Sequence, residues 1–282
     1  MKVAVTTAGG QLGSAIIGAL ATEIGAKNVV GIARRPEKVK LPGVEIRKGD
    51  YSSYEDFLGA LEGIETILLV SGFDTPEKRI LQHRNIIRAA KDRGVRKIVY
   101  TSIYGAEGKS TFDPIVKSNR QTEKDIRESG LDWSIGRNGL YIEPDVEYMD
   151  NYLKDGHIAN CAGEGLCSYT TREELAHAYV QMILHDDRNF LTFNLAGEAL
   201  TQVQLTDYLN KTFGSNLVYE DMSPEDYLDF QKEHKGDYLG PIIAGIYTKI
   251  RRGEFALPSD YRRAAGREHM DWNTYFSSLK TS

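Results

Sequence analysis

The sequence predicts an α/β fold with a doubly wound parallel sheet and a smaller mixed α/β lobe, and three observations support this. Val3-Ala4-Val5 is a short apolar run that leads into the small-residue turn Ala8-Gly9-Gly10. From Gly13 an amphipathic stretch follows, with Ile16, Ile17, Leu20 and Ile24 at helical spacing. Strand and helix patterns then alternate through about residue 140, which is the signature of a parallel sheet with crossover helices. The run Thr66-Ile-Leu-Leu-Val70 is continuously apolar, as a parallel strand buried on both faces requires. Residues 1–142 are therefore read as a Rossmann-type dinucleotide-binding domain. Residues 143–282 are read as a smaller C-terminal lobe packed against it, with some elements free to interleave.

The elements follow in order. After the first helix, residues 28–33 form a second strand that ends at Arg34-Arg35-Pro36, because proline cannot continue the ladder. Residues 44–50 form a third strand, residues 54–61 a helix, residues 66–70 a fourth strand and residues 82–93 a helix with Ile86, Ile87 and Ala90 inward. Residues 97–102 and 131–136 are the fifth and sixth strands, flanking a helix over 116–129. Beyond Glu143 the regular alternation stops. Helices are expected at 173–185 and 206–213, strands at 190–195 and 217–220, an acidic helix from Ser223 with Pro224 in its first turn, and a helix over 241–252.

Composition narrows the function. The 282 residues are 41% hydrophobic and 27% charged, ordinary for a globular chain. The net charge of −5 argues against a nucleic-acid partner. No apolar run reaches the length of a membrane span, and the chain enters its first strand without a leader pattern. Cys161 and Cys167 have no partners at metal-ligand spacing and read as reduced thiols. A cytoplasmic protein with neither metal nor membrane partner is expected.

A strand, a glycine turn and a helix aim backbone N–H groups and the positive end of a helix dipole at a phosphate. The stretch Thr7, Ala8, Gly9, Gly10, Gln11, Leu12 is thus the candidate pyrophosphate loop. It departs from the G-x-x-G-x-x-G spacing in placing Thr7 where the first glycine belongs. Where an acidic residue would hold a ribose 2′-hydroxyl, about 20 residues on, this chain has Arg34. A guanidinium there suits a 2′-phosphate, so NADP is expected over NAD, with NADPH preferred over NADH. Asp50 either accepts from an adenine amino group or caps the following helix, and capping is the safer role. Ser71, Gly72, Phe73 and Ser102 stand at strand ends, where a doubly wound sheet meets its ligand.

The Tyr-x-x-x-Lys pair with which many dinucleotide-dependent reductases move a proton is absent: no tyrosine has a lysine four positions later. Lys117 stands where the lysine is expected, but position 113 is Asp113. Hydride transfer to an acceptor such as a quinone needs less help than carbonyl reduction, mainly a flat aromatic slot. Phe73, Tyr104, Tyr141 and Tyr148 are candidates for it. His83 and His157 lack metal or triad partners and read as structural or solvated, and no serine hydrolase pattern is present.

These motifs resemble those of the NmrA-like atypical short-chain dehydrogenases. Thr6-Thr-Ala-Gly-Gly-Gln-Leu-Gly13 is similar to the family's Thr-Gly-Ala-Thr-Gly-Gln-Leu-Gly. Gly49-Asp50-Tyr51, Gln82-His83-Arg84-Asn85, Tyr100-Thr101-Ser102, Arg137-Asn138-Gly139-Leu140-Tyr141 and Thr171-Arg172 extend the likeness over nearly the whole chain. Within the family it looks most like the bacterial NAD(P)H:quinone oxidoreductase type 2 and triphenylmethane reductase branch. The resemblance implies that residues 7–12 embrace the pyrophosphate, Arg34 faces the 2′-phosphate, and residues 71–73 pass the ribose. It implies that Asn138 and Tyr141 approach the nicotinamide, with Lys117 as a further catalytic candidate. An NADPH-dependent reductase of quinones or similar electron-poor aromatic compounds is the expected function, and a homodimer is compatible with it. The alternative is a non-enzymatic dinucleotide sensor of the NmrA type. Sugar-nucleotide isomerase or epimerase chemistry is disfavoured by the missing Tyr and Lys.

Overall fold

The structure, a computed structural model, describes residues 1–105, 108 and 110–281. Its first half alternates β1 (Val3–Val5), α1 (Gln11–Ile24), β2 (Val29–Ala33), β3 (Glu45–Lys48), α2 (Tyr54–Ala60), β4 (Thr66–Val70), α3 (Pro76–Asp92), β5 (Lys97–Ile103), α4 (Asp113–Arg127) and β6 (Asp132–Asn138). These strands, with one from the second half, form a seven-stranded sheet in the order β10-β6-β5-β4-β1-β2-β3. Every pairing in it is parallel. β1, β2 and β4 are buried along their whole length, which is why their apolar runs do not alternate. The strand order reverses between β1 and β4, so the carboxyl ends of those two strands open a crevice at the switch point.

The second half contains β7 (Leu140–Tyr141), α5 (Glu143–Glu147), α6 (Met149–Asp155), β8 (His157–Asn160), β9 (Cys167–Thr170), α7 (Arg172–Leu184), β10 (Leu191–Leu195), β11 (Ala199–Leu200), α8 (Gln202–Phe213), β12 (Val218–Asp221), α9 (Pro224–Arg251), α10 (Tyr261–Ala265) and α11 (Trp272–Ser278). The chain crosses back: β10 extends the main sheet beside β6, and α7 packs with α1 in one apolar cluster. The remaining elements hold two small sheets, β11-β9-β7 and β12-β8, over a separate core built around Trp272, Tyr169 and Ile250.

Several boundaries differ from the sequence reading. The helix expected from residue 82 begins at Pro76, with Pro76 and Glu77 in a first turn that favours both. The helices expected from Ser223 and over 241–252 are one element, α9, broken at Gly236. Its φ of 78° is open to glycine without steric cost. Ser223 caps α9 as expected, accepting from the Asp226 amide. Asp50 does not cap α2: Ser53 does, accepting from the Asp56 amide, while Asp50 accepts from Ser52 one turn earlier. Ser53 alone precedes the first helical residue directly, the position from which an N-cap oxygen reaches the third amide.

Two buried polar networks fix the strand ends. Glu123 of α4 is fully buried and takes Arg137 of β6 at 2.7 and 2.8 Å, Arg120 at 2.8 Å and Arg127 at 3.0 Å. The arginines hold its carboxyl below the usual range against the opposing effect of burial. Behind β4, His83 Nε2 accepts from the Gly72 amide at 3.0 Å and its Nδ1 lies 2.9 Å from the Thr122 hydroxyl. An accepting Nε2 requires the neutral ring with its proton on Nδ1.

Replacing Glu123 with glutamine leaves partly buried guanidinium groups uncompensated. It should cost about 3 kcal/mol of stability, read from the urea midpoint. For His83, burial and the charge of Arg79 push the pKa down to about 3. The unfolded ring titrates near 6.5, so the unfolded chain binds the proton more readily. The contribution of His83 is therefore complete above about pH 6.5 and is lost as the pH falls. Between about pH 7 and about pH 5 the wild type should lose about 2 kcal/mol more than His83→Gln in matched urea titrations.

Candidate functional site

The crevice begins where β1 turns into α1. Thr7 adopts φ 54°, a left-handed conformation uncommon for a residue with a β-branched side chain. Its carbonyl accepts from the Gly10 amide at 2.8 Å, closing the turn. A Cβ at residue 13 would lie 2.3 Å from that same carbonyl oxygen, so only glycine lets α1 start this close to the turn. Gly10 is the N-cap and no side chain caps the helix. The first-turn amides of α1 thus face the crevice as donors without a side-chain acceptor.

A cavity of about 500 Å³ lies over this turn. Of the residues expected at the cofactor, Thr7, Gly9, Gly10, Arg34, Asp50, Gly72 and Phe73 line it. Arg35 and Lys38 add two cations from the end of β2. Among the described residues no carboxylate pairs with Arg34, Arg35 or Lys38, while most other basic side chains at strand ends are paired. Phe73 is 78% exposed, an unusual position for a large apolar ring and one that a bound planar group would cover. Tyr51 braces the floor, its hydroxyl 2.6 Å from both the Thr6 hydroxyl and the Val70 carbonyl.

Other expected residues stand elsewhere. Ala8 is buried behind the turn, its amide bonded to the Ile32 carbonyl, and Leu12 belongs to the core. Gln11 is exposed and lines a groove between α1 and α7. Ser71 spends its hydroxyl on Asn119 and Tyr100. Ser102 is buried with its hydroxyl 2.7 Å from Glu123, which leaves nothing to offer a ligand. Lys117 is exposed on α4 and lines neither this cavity nor the one below. Tyr104 is buried, its hydroxyl donated to the Leu257 carbonyl. Its place in the sequence locates Lys117 along α4 but not the side of the helix it occupies.

Asn138 ends β6 and leads to a second cavity. Its Oδ1 lies 2.5 Å from the Tyr179 hydroxyl, and its Nδ2 donates to the Tyr141 hydroxyl at 3.1 Å. The phenol of Tyr141 is raised above its ordinary range by burial, so it is protonated at neutral pH. Because it accepts from Asn138, its own proton remains available to a third group. The second cavity, of about 340 Å³, is walled by Tyr141, Tyr148, Tyr152, Tyr227, Phe230 and Tyr247. Tyr148 meets Tyr152 edge-on at 5.2 Å, and Tyr227 meets Tyr247 likewise at 5.4 Å. His157 sits at this cavity, 3.7 Å from Glu220. The sequence reading found Tyr141 and Tyr148 but not the other walls, Tyr152 of α6 and Tyr227, Phe230 and Tyr247 of α9, which the fold brings to Tyr141 from far along the chain. Cys161 and Cys167 are free and buried. Among the described residues no cluster has the donors of a metal site, and no helix is long and apolar enough to cross a membrane.

The glycine turn, the uncapped helix and the unpaired cations fit a phosphorylated dinucleotide, and known proteins agree. Quinone oxidoreductase 2 of Escherichia coli is 33% identical over 229 residues, 80% of this chain and 79% of that protein. An NmrA-like family domain-containing oxidoreductase of Aspergillus flavus is 27% identical, covering 94% of this chain and 88% of its own. The crystal structure of Citrobacter sp. triphenylmethane reductase complexed with NADP(H) superposes with a TM-score of 0.88 at 30% identity, over 99% of this chain and all of the other. A family model described as NAD(P)H-binding matches residues 8–186. The chain therefore belongs to the NAD(P)H-binding family.

Proposed function

We propose that this protein is an NADPH-dependent reductase that transfers hydride to a quinone or a similarly electron-poor aromatic acceptor. The observation that carries this reading is the aromatic-walled cavity beginning at Tyr141, three residues past the carboxyl end of β6. Such a slot binds a flat ring by area and excludes water from the reacting face. The relatives named for quinone and triphenylmethane reduction support an acceptor of this kind.

Bound NADPH supplies the hydride. The Gly9 amide and the first-turn amides of α1 hold the pyrophosphate through dipole and hydrogen bonds. Arg34, helped by Arg35 and Lys38, holds the 2′-phosphate. Tyr141, oriented by Asn138, donates a hydrogen bond to the acceptor's carbonyl and raises its electron affinity. The threonine at φ 54° is the feature that favours the second reading, a dinucleotide-binding regulator without turnover.

Calorimetry with NADPH and NADH, followed by NADPH oxidation in the presence of a simple quinone, tests both. Micromolar NADPH binding with quinone turnover is expected, and tight NADPH binding without turnover on any quinone establishes the regulator instead. Arg34→Ala should weaken NADPH binding about 10- to 100-fold, from the loss of a charge-assisted bond, and leave NADH within about twofold. Equal effects on the two nucleotides would remove Arg34 from the 2′-phosphate.

A further inference from the structure

The second cavity is aromatic but not wholly apolar. Asp145, on the short helix α5, is 6% exposed and lines it. Its Oδ1 accepts from the Tyr152 hydroxyl of α6 at 2.8 Å. Among the described residues its other oxygen has no protein donor, and no cation pairs with the carboxyl. The titratable groups that face it from neighbouring elements are Cys167 and Tyr169 of β9, Tyr227 and Tyr247 of α9, and Tyr152. All are neutral at pH 7, and among the described residues the other ionisable side chains of this cavity, Asp155, His157, His234 and Lys235, form no ion pair with Asp145.

A lone carboxylate in such surroundings is costly, and the group answers by holding its proton. Burial raises its pKa to about 6 against the pull of Tyr152, so about half is the neutral acid at pH 6 and about a tenth at pH 7. A second polar atom of the same cavity, Gln231 Oε1, is buried with no hydrogen-bond partner. Unpartnered buried polar atoms in a cavity mark a place where a ligand completes the bonding.

Building on the reductase reading, we propose that Asp145 is the acid that protonates the acceptor's carbonyl oxygen in the aromatic cavity. The electrons balance simply. The hydride brings two electrons and one proton to the quinone, and the negative charge gathers on a carbonyl oxygen. The carboxyl O–H of Asp145 breaks as the new O–H of the hydroquinone forms. The dihydronicotinamide is oxidised and the quinone reduced by two electrons. Asp145 is left as a carboxylate, stabilised by the Tyr152 donor, and regains its proton from solvent at the cavity mouth.

The test compares wild type, Asp145→Asn and Tyr152→Phe with NADPH and a simple quinone across pH. An acid works in its protonated form, so wild-type kcat should fall as the pH rises through the Asp145 titration. Asp145→Asn should lose about 100-fold in kcat and the pH-dependent limb, with NADPH affinity by calorimetry unchanged. Tyr152→Phe removes a donor to the carboxylate, so its limb should move to higher pH. Independently of turnover, the carboxylic C=O stretch of Asp145 in infrared difference spectra should titrate in wild type and be missing in Asp145→Asn. Wild-type turnover with an unchanged rate and profile in Asp145→Asn overturns the assignment alone. A uniform loss in Asp145→Asn, without a wild-type limb or a shift in Tyr152→Phe, shows a structural role and also overturns it. No quinone turnover by wild type with NADPH bound overturns the reductase reading and the acid with it.

Discussion

The approach of α1 to the turn that precedes it governs the first cavity. The Thr7 carbonyl serves two purposes: it accepts from Gly10 to close the turn, and it leaves no room for a side chain at residue 13. With the helix pinned there, its axis points into the switch point between β1 and β4. Its free amides and dipole then fall where the sheet concentrates its ligand contacts. The conformation at Thr7 costs a β-branched residue about 1–2 kcal/mol, which the closed turn and the buried strand on either side must offset. Everything downstream in the crevice, from Arg34 to Phe73, is placed relative to this junction.

The polar groups of the molecule divide into two populations. Those behind the strand ends are satisfied within the protein. His83 holds the Gly72 amide, Tyr51 ties Thr6 to Val70, and Glu123 gathers three arginines and Ser102. These bonds are buried, so they rigidify the loops that frame the crevice at little cost from screening. The second population faces the cavities and, among the described residues, is unpaired or only partly satisfied: Arg34, Arg35 and Lys38 in one, and in the other Asp145, whose single donor is Tyr152, and the Gln231 carbonyl. The unpaired cations Arg34, Arg35 and Lys38 collect in the cavity beside the helix N-terminus, which Asp50 and Asp74 also line, and the aromatic rings in the other, which Asp155, His157, His234 and Lys235 also line. That segregation suits a polyanionic ligand in the first and a largely neutral, flat one in the second.

The sheet was legible because each central strand is buried on both faces and must be apolar throughout. Thr66–Val70 was assigned to the residue for that reason. The small sheets were not legible. β7 and β11 are two residues long, and β9 owes its place to pairing on both sides with segments far away in sequence. β10 could be read as a strand, but its return to the main sheet is a tertiary choice. At the site, backbone-determined features were visible, since glycines and strand-end cations stand in a fixed local order. Ser102 and Lys117 show the limit. Ser102 stands at a strand end but is claimed by Glu123, twenty-one residues away, and the side of α4 that Lys117 faces follows from packing.

The aromatic cavity was the least legible part for a related reason. Asp145 lies on α5, Tyr152 on α6, and Tyr227, Gln231 and Tyr247 on the two halves of a helix broken at Gly236. None has a motif of its own, and their chemistry arises only when the fold removes water from around one carboxyl group. A search for Tyr-x-x-x-Lys looks for an acid made by neighbours along one helix. In this protein an acid is available without a lysine, because desolvation raises a carboxyl as effectively as a cation lowers a phenol. The two strategies move a pKa from opposite sides, and the second leaves no mark in local sequence.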